Sequence, residues 1–176
     1  LTPLTGVGQT VTDWKLTVEG AKPEVEYDDQ FGNRATLVSL DGQQDKTRII
    51  ASGEVETQDL NGVIGLHQGF SPLWLYLRES PRTKAGKLTK ELLRSLSGDN
   101  ELGKMHALMK AIHETVEYKP GTSNTETTAE QALEAKSGVC QDHAHIFLAG
   151  ARALRIPARY VSGYPMMEGK NEQAAT

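Results

Sequence analysis

The apolar residues of this chain change their period partway along it, and that change does most to limit the fold. In the first third they recur every second residue. Trp14, Leu16 and Val18 alternate with Lys15, Thr17 and Glu19, the pattern of a strand with one buried face. From Asp99 they recur at three- and four-residue steps, through Leu102, Met105, Met109, Ile112 and Val116, as on an amphipathic helix. Strands gathered in one part and helices in another predict an α+β fold.

The strand-rich part is punctuated by turn chemistry. Residues 25–27 form a second short run, closed by the polar stretch 28–33, whose Gly32-Asn33 pair tolerates positive φ. Residues 34–40 are the next apolar run, followed by Asp41-Gly42, a hairpin signal. Residues 47–57 continue with Ile49, Ala51 and Val55 on one face. Strands at this regular spacing predict an N-terminal antiparallel β-sandwich. A changeover follows, broken by Gly62, Gly65, Gly69, Pro72 and Pro81; its dense apolar cluster is 73–77, and its basic residues between Arg78 and Lys90 read as a solvated face. The expected organisation is a β-rich domain over 1–64, a linker with short helices over 65–98, and a helical domain over 99–176.

In the helical part, Asp99 or Asn100 is placed to cap the first helix, and Lys119-Pro120-Gly121 to stop it. A Thr/Ser-rich loop leads to Thr128-Ala-Glu-Gln131, which reads as a capping box opening a short helix through Ala135. Ser137-Gly138 breaks the chain before 139–154, whose small and aliphatic residues predict a helix buried on most sides. Pro157 ends it; 158–164 reads as a strand and 166–170 as the start of a turn.

Cys140 is the lone cysteine, so an internal disulfide and a multi-cysteine zinc site are excluded. Its predicted place in the first turn of a helix matters, because unpaired amides and the positive end of the helix dipole favour a thiolate there. Gly138 leaves room near the sulfur for a substrate backbone, and an amide at the helix start is placed to donate to an oxyanion. The same residue also reads as a small packed hydrophobe; spacing alone leaves both readings open.

Two longer segments carry a resemblance. Ser137-Gly-Val-Cys140-Gln-Asp-His-Ala-His145, followed by Ala151-Arg-Ala-Leu-Arg-Ile-Pro-Ala-Arg-Tyr-Val-Ser-Gly-Tyr164, resembles the core of bacterial transglutaminase-like cysteine proteases. Val116-Glu-Tyr-Lys-Pro-Gly121 and Thr128-Ala-Glu-Gln-Ala-Leu133 are similar to that family's lead-in, and the stretches 27–33 and 49–56 to its β-rich N-terminal domain. The resemblance implies a papain-like transglutaminase core, of which 99–176 would be the N-terminal part: the helical lobe and first strand, truncated. It implies Cys140 as nucleophile of a thiol acyl transfer on a peptide or protein amide, with neither metal nor organic cofactor. In that family a histidine on a later strand and an aspartate on the next complete the site. Beyond Tyr164 this sequence offers neither, so the chain reads as a slice of a longer protein, weak or inactive alone. A non-catalytic binding or structural module on the same fold is the alternative. The family's usual glycine after the helix is Arg155 here, which bears on the geometry of the helix end.

The remaining histidines do not replace the missing one. His143 is held on the same helix as Cys140, where it is poorly aimed at the sulfur. His143 and His145 are two residues apart and point to nearly opposite sides of a helix, unlike a zinc pair; His106 and His113 lie two turns apart.

Charge and composition narrow the partners. Nineteen Lys+Arg against 23 Asp+Glu give a net charge of −4, without the basic surplus that nucleic acid or an acidic membrane surface would call for. No apolar run reaches bilayer length. The unpaired thiol suits a reducing, cytoplasmic compartment. The first residue is Leu1 rather than Met, so the beginning of the sequence says little about targeting. An unpaired apolar strand over 158–164 would tend to recruit another chain, giving self-association through a sheet edge.

Overall fold

A computed structural model of the chain describes residues 1–40, 42, 46–67 and 69–164. The hairpin signal at Asp41 and the turn expected over 166–170 lie outside the described residues. The chain divides into two compact units, Leu1–Ser71 with Ser162–Thr176, and Pro72–Val161.

The first unit holds four strands, β1 (Gln9–Glu19), β2 (Ala21–Asp28), β3 (Arg34–Leu40) and β4 (Arg48–Thr57). The expected antiparallel pairing is present as two two-stranded ladders, β1 with β4 and β2 with β3. Trp14, Leu16 and Val18 are half-buried along β1 while Lys15 is exposed, as their alternation requires. The β2–β3 turn is built by Asp29, whose Oδ1 accepts the amides of Phe31 and Asn33, each at 2.8 Å. Those bonds, led by the ones from Asn33, hold the Asp29 carboxyl below its usual range. Trp14 and Tyr164 stack with ring centroids 5.6 Å apart in this unit.

The second unit is helical. The apolar cluster at 73–77 forms a 3₁₀ turn that buries Tyr76, and a second such turn covers Pro81–Thr83. Helices α1 (Lys87–Arg94), α2 (Glu101–Thr115), α3 (Ala129–Ala135) and α4 (Cys140–Ala153) follow, with the short strands β5 (Glu117–Tyr118) and β6 (Ser137–Gly138) pairing in parallel between them. Asn100 caps α2, its side chain accepting the Gly103 amide at 2.7 Å. The capping box of α3 forms as its sequence predicts. Around α4 gather Ala85, Leu108, Ile112, Val116, Ala129, Ala132, Leu133, Ile146 and Ala149, an aliphatic core that suits a chain with 6% aromatics.

Three local expectations change. The buried face of α2 runs through Met105, Leu108 and Ile112, whereas Leu102 and Met109 are exposed. The apolar stripe is therefore wider than the face that packs, and α4 selects Leu108, which has no exposed surface. Helix α2 also stops at Thr115, ahead of Lys119-Pro120-Gly121, because Val116 turns extended and β5 takes up hydrogen bonds with β6. The stretch 158–164 has no ladder partner among the described residues; at its start, Arg152 and the Tyr76 carbonyl take the backbone groups of Ala158.

Helix α4 ends in a Schellman motif. The Ile156 amide donates to the Ala151 carbonyl and the Arg155 amide to the Arg152 carbonyl, each at 2.9 Å. Arg155 takes φ +64° to allow this, so the glycine geometry is kept by a residue with a Cβ.

Candidate active site around Cys140

Cys140 is the first residue of α4 and its side chain is exposed. A packed hydrophobe would be buried in the core; this sulfur faces solvent at a helix N-terminus. The residue before it, Val139, is the N-cap and has no polar side chain to offer. The Val139 carbonyl takes the first bonds of the helix, from the amides of Asp142 (3.0 Å) and His143 (3.2 Å). The amides of Cys140 and Gln141 have no intrachain acceptor among the described residues. They are the donors that a thiolate or an oxyanion at this position would use.

Asp142 is 1% exposed. Its Oδ2 accepts the Val139 amide at 2.7 Å and the Ser123 hydroxyl at 2.5 Å, which joins the head of α4 to the loop between β5 and α3. Its Oδ1 has no partner among the described residues. Gly138 leaves room for this carboxylate: a Cβ there would lie 2.7 Å from Asp142 Cβ and 2.8 Å from Oδ2.

His143 has each ring nitrogen beside a backbone carbonyl. Its Nδ1 is 2.9 Å from the Val139 carbonyl oxygen and its Nε2 3.0 Å from that of Val116. His145 is buried beside Tyr160, ring centroids 5.9 Å apart, with Nδ1 unpartnered among the described residues. Burial pushes its imidazole below the usual histidine value, against the pull of the Thr127 backbone and the Asp142 charge. Among the described residues no histidine hydrogen-bonds Cys140, and no three His, Cys, Asp or Glu side chains gather as a metal site. No helix of the described residues is long and apolar enough to cross a membrane.

Two residues at the ends of this assembly were not legible as partners from their spacing. Glu130, inside the α3 capping box, reaches α1: its carboxylate accepts the amides of Gly86, Leu88 and Thr89 at 3.1, 2.9 and 2.9 Å and the Thr89 hydroxyl at 2.5 Å. Arg152, in the last turn of α4, donates to the Tyr76 and Ala158 carbonyls and to Thr83 Oγ1 at 2.7–3.2 Å. Burial pushes its guanidinium down, with the Glu79 charge opposing. Sequence separations of 41 and more hide most of these bonds from local patterns.

Comparison with known proteins agrees with this geometry. The transglutaminase-like superfamily core matches residues 87–176, and the bacterial transglutaminase-like N-terminal region matches residues 1–56. The crystal structure of a "putative cysteine protease" from Cytophaga hutchinsonii superposes with a TM-score of 0.68 at 26% identity, covering 89% of this chain and 57% of that one. An uncharacterized protein of Mycobacterium leprae is 27% identical over 173 residues, 93% of this chain and 62% of its own length. One from Mycobacterium tuberculosis is 39% identical over 57 residues, 32% of this chain and 18% of its own length. The chain thus spans less than two thirds of each of these proteins. The α+β architecture, the strand-rich N-terminal region and the helical lobe headed by Gly138-Val139-Cys140 place the chain in the transglutaminase-like superfamily, to which it belongs.

Proposed function

We propose that Cys140 is the nucleophile of a thiol acyl transfer on a peptide or carboxamide bond. The observation that carries this is the exposed sulfur at the first position of α4, next to two amides left without intrachain acceptors. The thiolate adds to the carbonyl carbon, and the oxygen takes up negative charge facing those amides. As the tetrahedral intermediate collapses, the C–N bond breaks and the nitrogen leaves as amine after receiving a proton. Water or a second amine then resolves the thioester and regenerates the thiol. Hydrolysis and cross-linking differ only in that last acceptor.

The proton on the leaving nitrogen has to come from a general acid. His143 has both ring nitrogens against carbonyl oxygens and His145 is buried, so this reading calls for a base presented from another element. The 176-residue chain is accordingly proposed to be a poor catalyst by itself, since losing a partner of a nucleophile–base pair costs orders of magnitude in rate. The test compares amide and peptide turnover by this chain with turnover by any longer parent chain that contains it, each beside a Cys140→Ser variant. Turnover by the parent that Cys140→Ser abolishes supports the reading. Turnover that survives the substitution, or no thioester trapped from any amide substrate, favours a binding module instead.

A further inference from the structure

We propose that Asp142 and His143 are positioning residues for the Cys140 thiol, a role that rests on Cys140 being the nucleophile. They contact one residue, Val139, on both sides. Asp142 Oδ2 takes the Val139 N–H at 2.7 Å, while His143 Nδ1 stands 2.9 Å from the Val139 carbonyl oxygen. The Val139 N–H belongs to the peptide with Gly138 and its carbonyl to the peptide with Cys140, so the two contacts bear on consecutive peptides whose orientation sets where the sulfur and the first-turn amides point.

Each of the two residues is itself anchored outside α4. Asp142 is tied to Ser123 in the loop that enters α3, and His143 Nε2 lies 3.0 Å from the Val116 carbonyl oxygen at the end of α2; a neutral imidazole donates to one of its two carbonyl neighbours at a time. The corner is also fixed from below, where the Lys119 amide donates to the Gly138 carbonyl at 2.8 Å. Val139 cannot cap its own helix, and without these contacts the first turn would be free to fray.

The loading of the carboxylate favours positioning over stability alone. Both donors fall on Oδ2, while Oδ1 is buried with no partner among the described residues. The shape of this side chain is what the corner uses: Gly138 is bare of a Cβ so that it fits. The groups facing Asp142 from neighbouring elements are Ser123, Gly138 and Val139, with His145 charge-coupled to it along α4.

Two effects of neutralising Asp142 have opposite signs, which makes the role testable. A bystander carboxylate near the sulfur opposes a thiolate, so removing its charge would ease ionisation. A positioning carboxylate keeps the first-turn donors aligned on the sulfur, so its loss would hinder ionisation. The experiment measures the alkylation rate of Cys140 by iodoacetamide against pH in the 176-residue chain, wild type and Asp142→Asn, with thermal melts alongside. The expected result is a profile midpoint moved to higher pH, with alkylation near neutrality slowed about two- to fivefold, the scale of helix-end charge effects. A midpoint moved to lower pH overturns the proposal, as does an unmoved midpoint with a lowered melting temperature. Should Asp142→Asn fail to fold, Ser123→Ala and His143→Phe, which each remove one anchor, are held to the same shift. Alkylation needs no amide turnover: a parent enzyme that stays active as Cys140→Ser refutes the nucleophile and leaves the alkylation shift standing as a separate result.

Discussion

Replacing Glu130 should loosen α1 from α3 by an amount that the hydrogen bonds themselves set. Helix α1 begins at Lys87 after Gly86, an N-cap with no side chain to close the helix. Its orphan amides are satisfied from another helix, by the Glu130 carboxylate, which takes three N–H groups and the Thr89 hydroxyl. A Cβ on Gly86 would lie 2.4 Å from Glu130 Cδ, so glycine is needed for this approach. Losing a helix N-cap costs about 0.5–2 kcal/mol, and a hydrogen bond to a charged group contributes about 1.5–3 kcal/mol. Water reaches the half-buried site and replaces part of the loss, so Glu130→Ala is expected to cost about 2–3 kcal/mol, with Glu130→Gln about half that because one acceptor oxygen remains. Urea unfolding followed by helical ellipticity measures it.

The same site has a pH signature. Burial alone would push the Glu130 carboxyl up, but the Thr89 hydroxyl and the amides of Thr89, Leu88 and Gly86 together hold it below the usual glutamate value. A carboxyl held low in the folded chain contributes stability that is complete above its unfolded pKa and lost as pH falls through its folded one. The gap between wild type and Glu130→Gln should therefore close on acidification. A cost below about 0.5 kcal/mol near neutrality, typical of plain surface positions, or a gap that persists into acid, would refute the reasoning.

Two other substitutions follow from the ends of α4. Arg155→Gly relieves a side chain held at φ +64° and should stabilise the helical unit by about 1 kcal/mol in a urea melt, the scale of left-handed strain at a non-glycine residue; a loss of stability would show that the Arg155 side chain contributes more than its backbone costs. Arg152→Lys keeps the charge but cannot span Tyr76, Thr83 and Ala158 together. It should cost about 2 kcal/mol and raise hydrogen exchange at the Ala158 amide; an unchanged melt would mean that the fork is dispensable.

What could be read from the sequence was local. Asn100 before α2, Thr128 with Gln131 at α3, and Cys140 at the head of α4 each announce themselves within one helical turn, because a cap and its partner are three or four residues apart. The alternation through Trp14, Leu16 and Val18 likewise gave a half-buried strand. Where the decisive contact was distant, the pattern misled or was silent. Period alone gave α2 a stripe through Leu102 and Met109, but Leu108 meets α4 because of where α4 lies. Gly138 read as an opening for substrate until Asp142 was found filling that space. Ser123, Glu130 and Arg152 had no visible role, since the groups they bind belong to other elements. The Gly-Val-Cys segment is the exception: its family resemblance pointed to a position whose surroundings local spacing could not supply.

The proposed role of Cys140 requires its sulfur to be made reactive by its place at the start of α4. The alkylation rate of Cys140 by iodoacetamide near neutral pH, set beside a free cysteine under identical conditions, addresses that most directly. The thiol should react faster than the reference in the native chain and lose that advantage in urea. Equal rates folded and unfolded would contradict the helix-terminus origin of its chemistry.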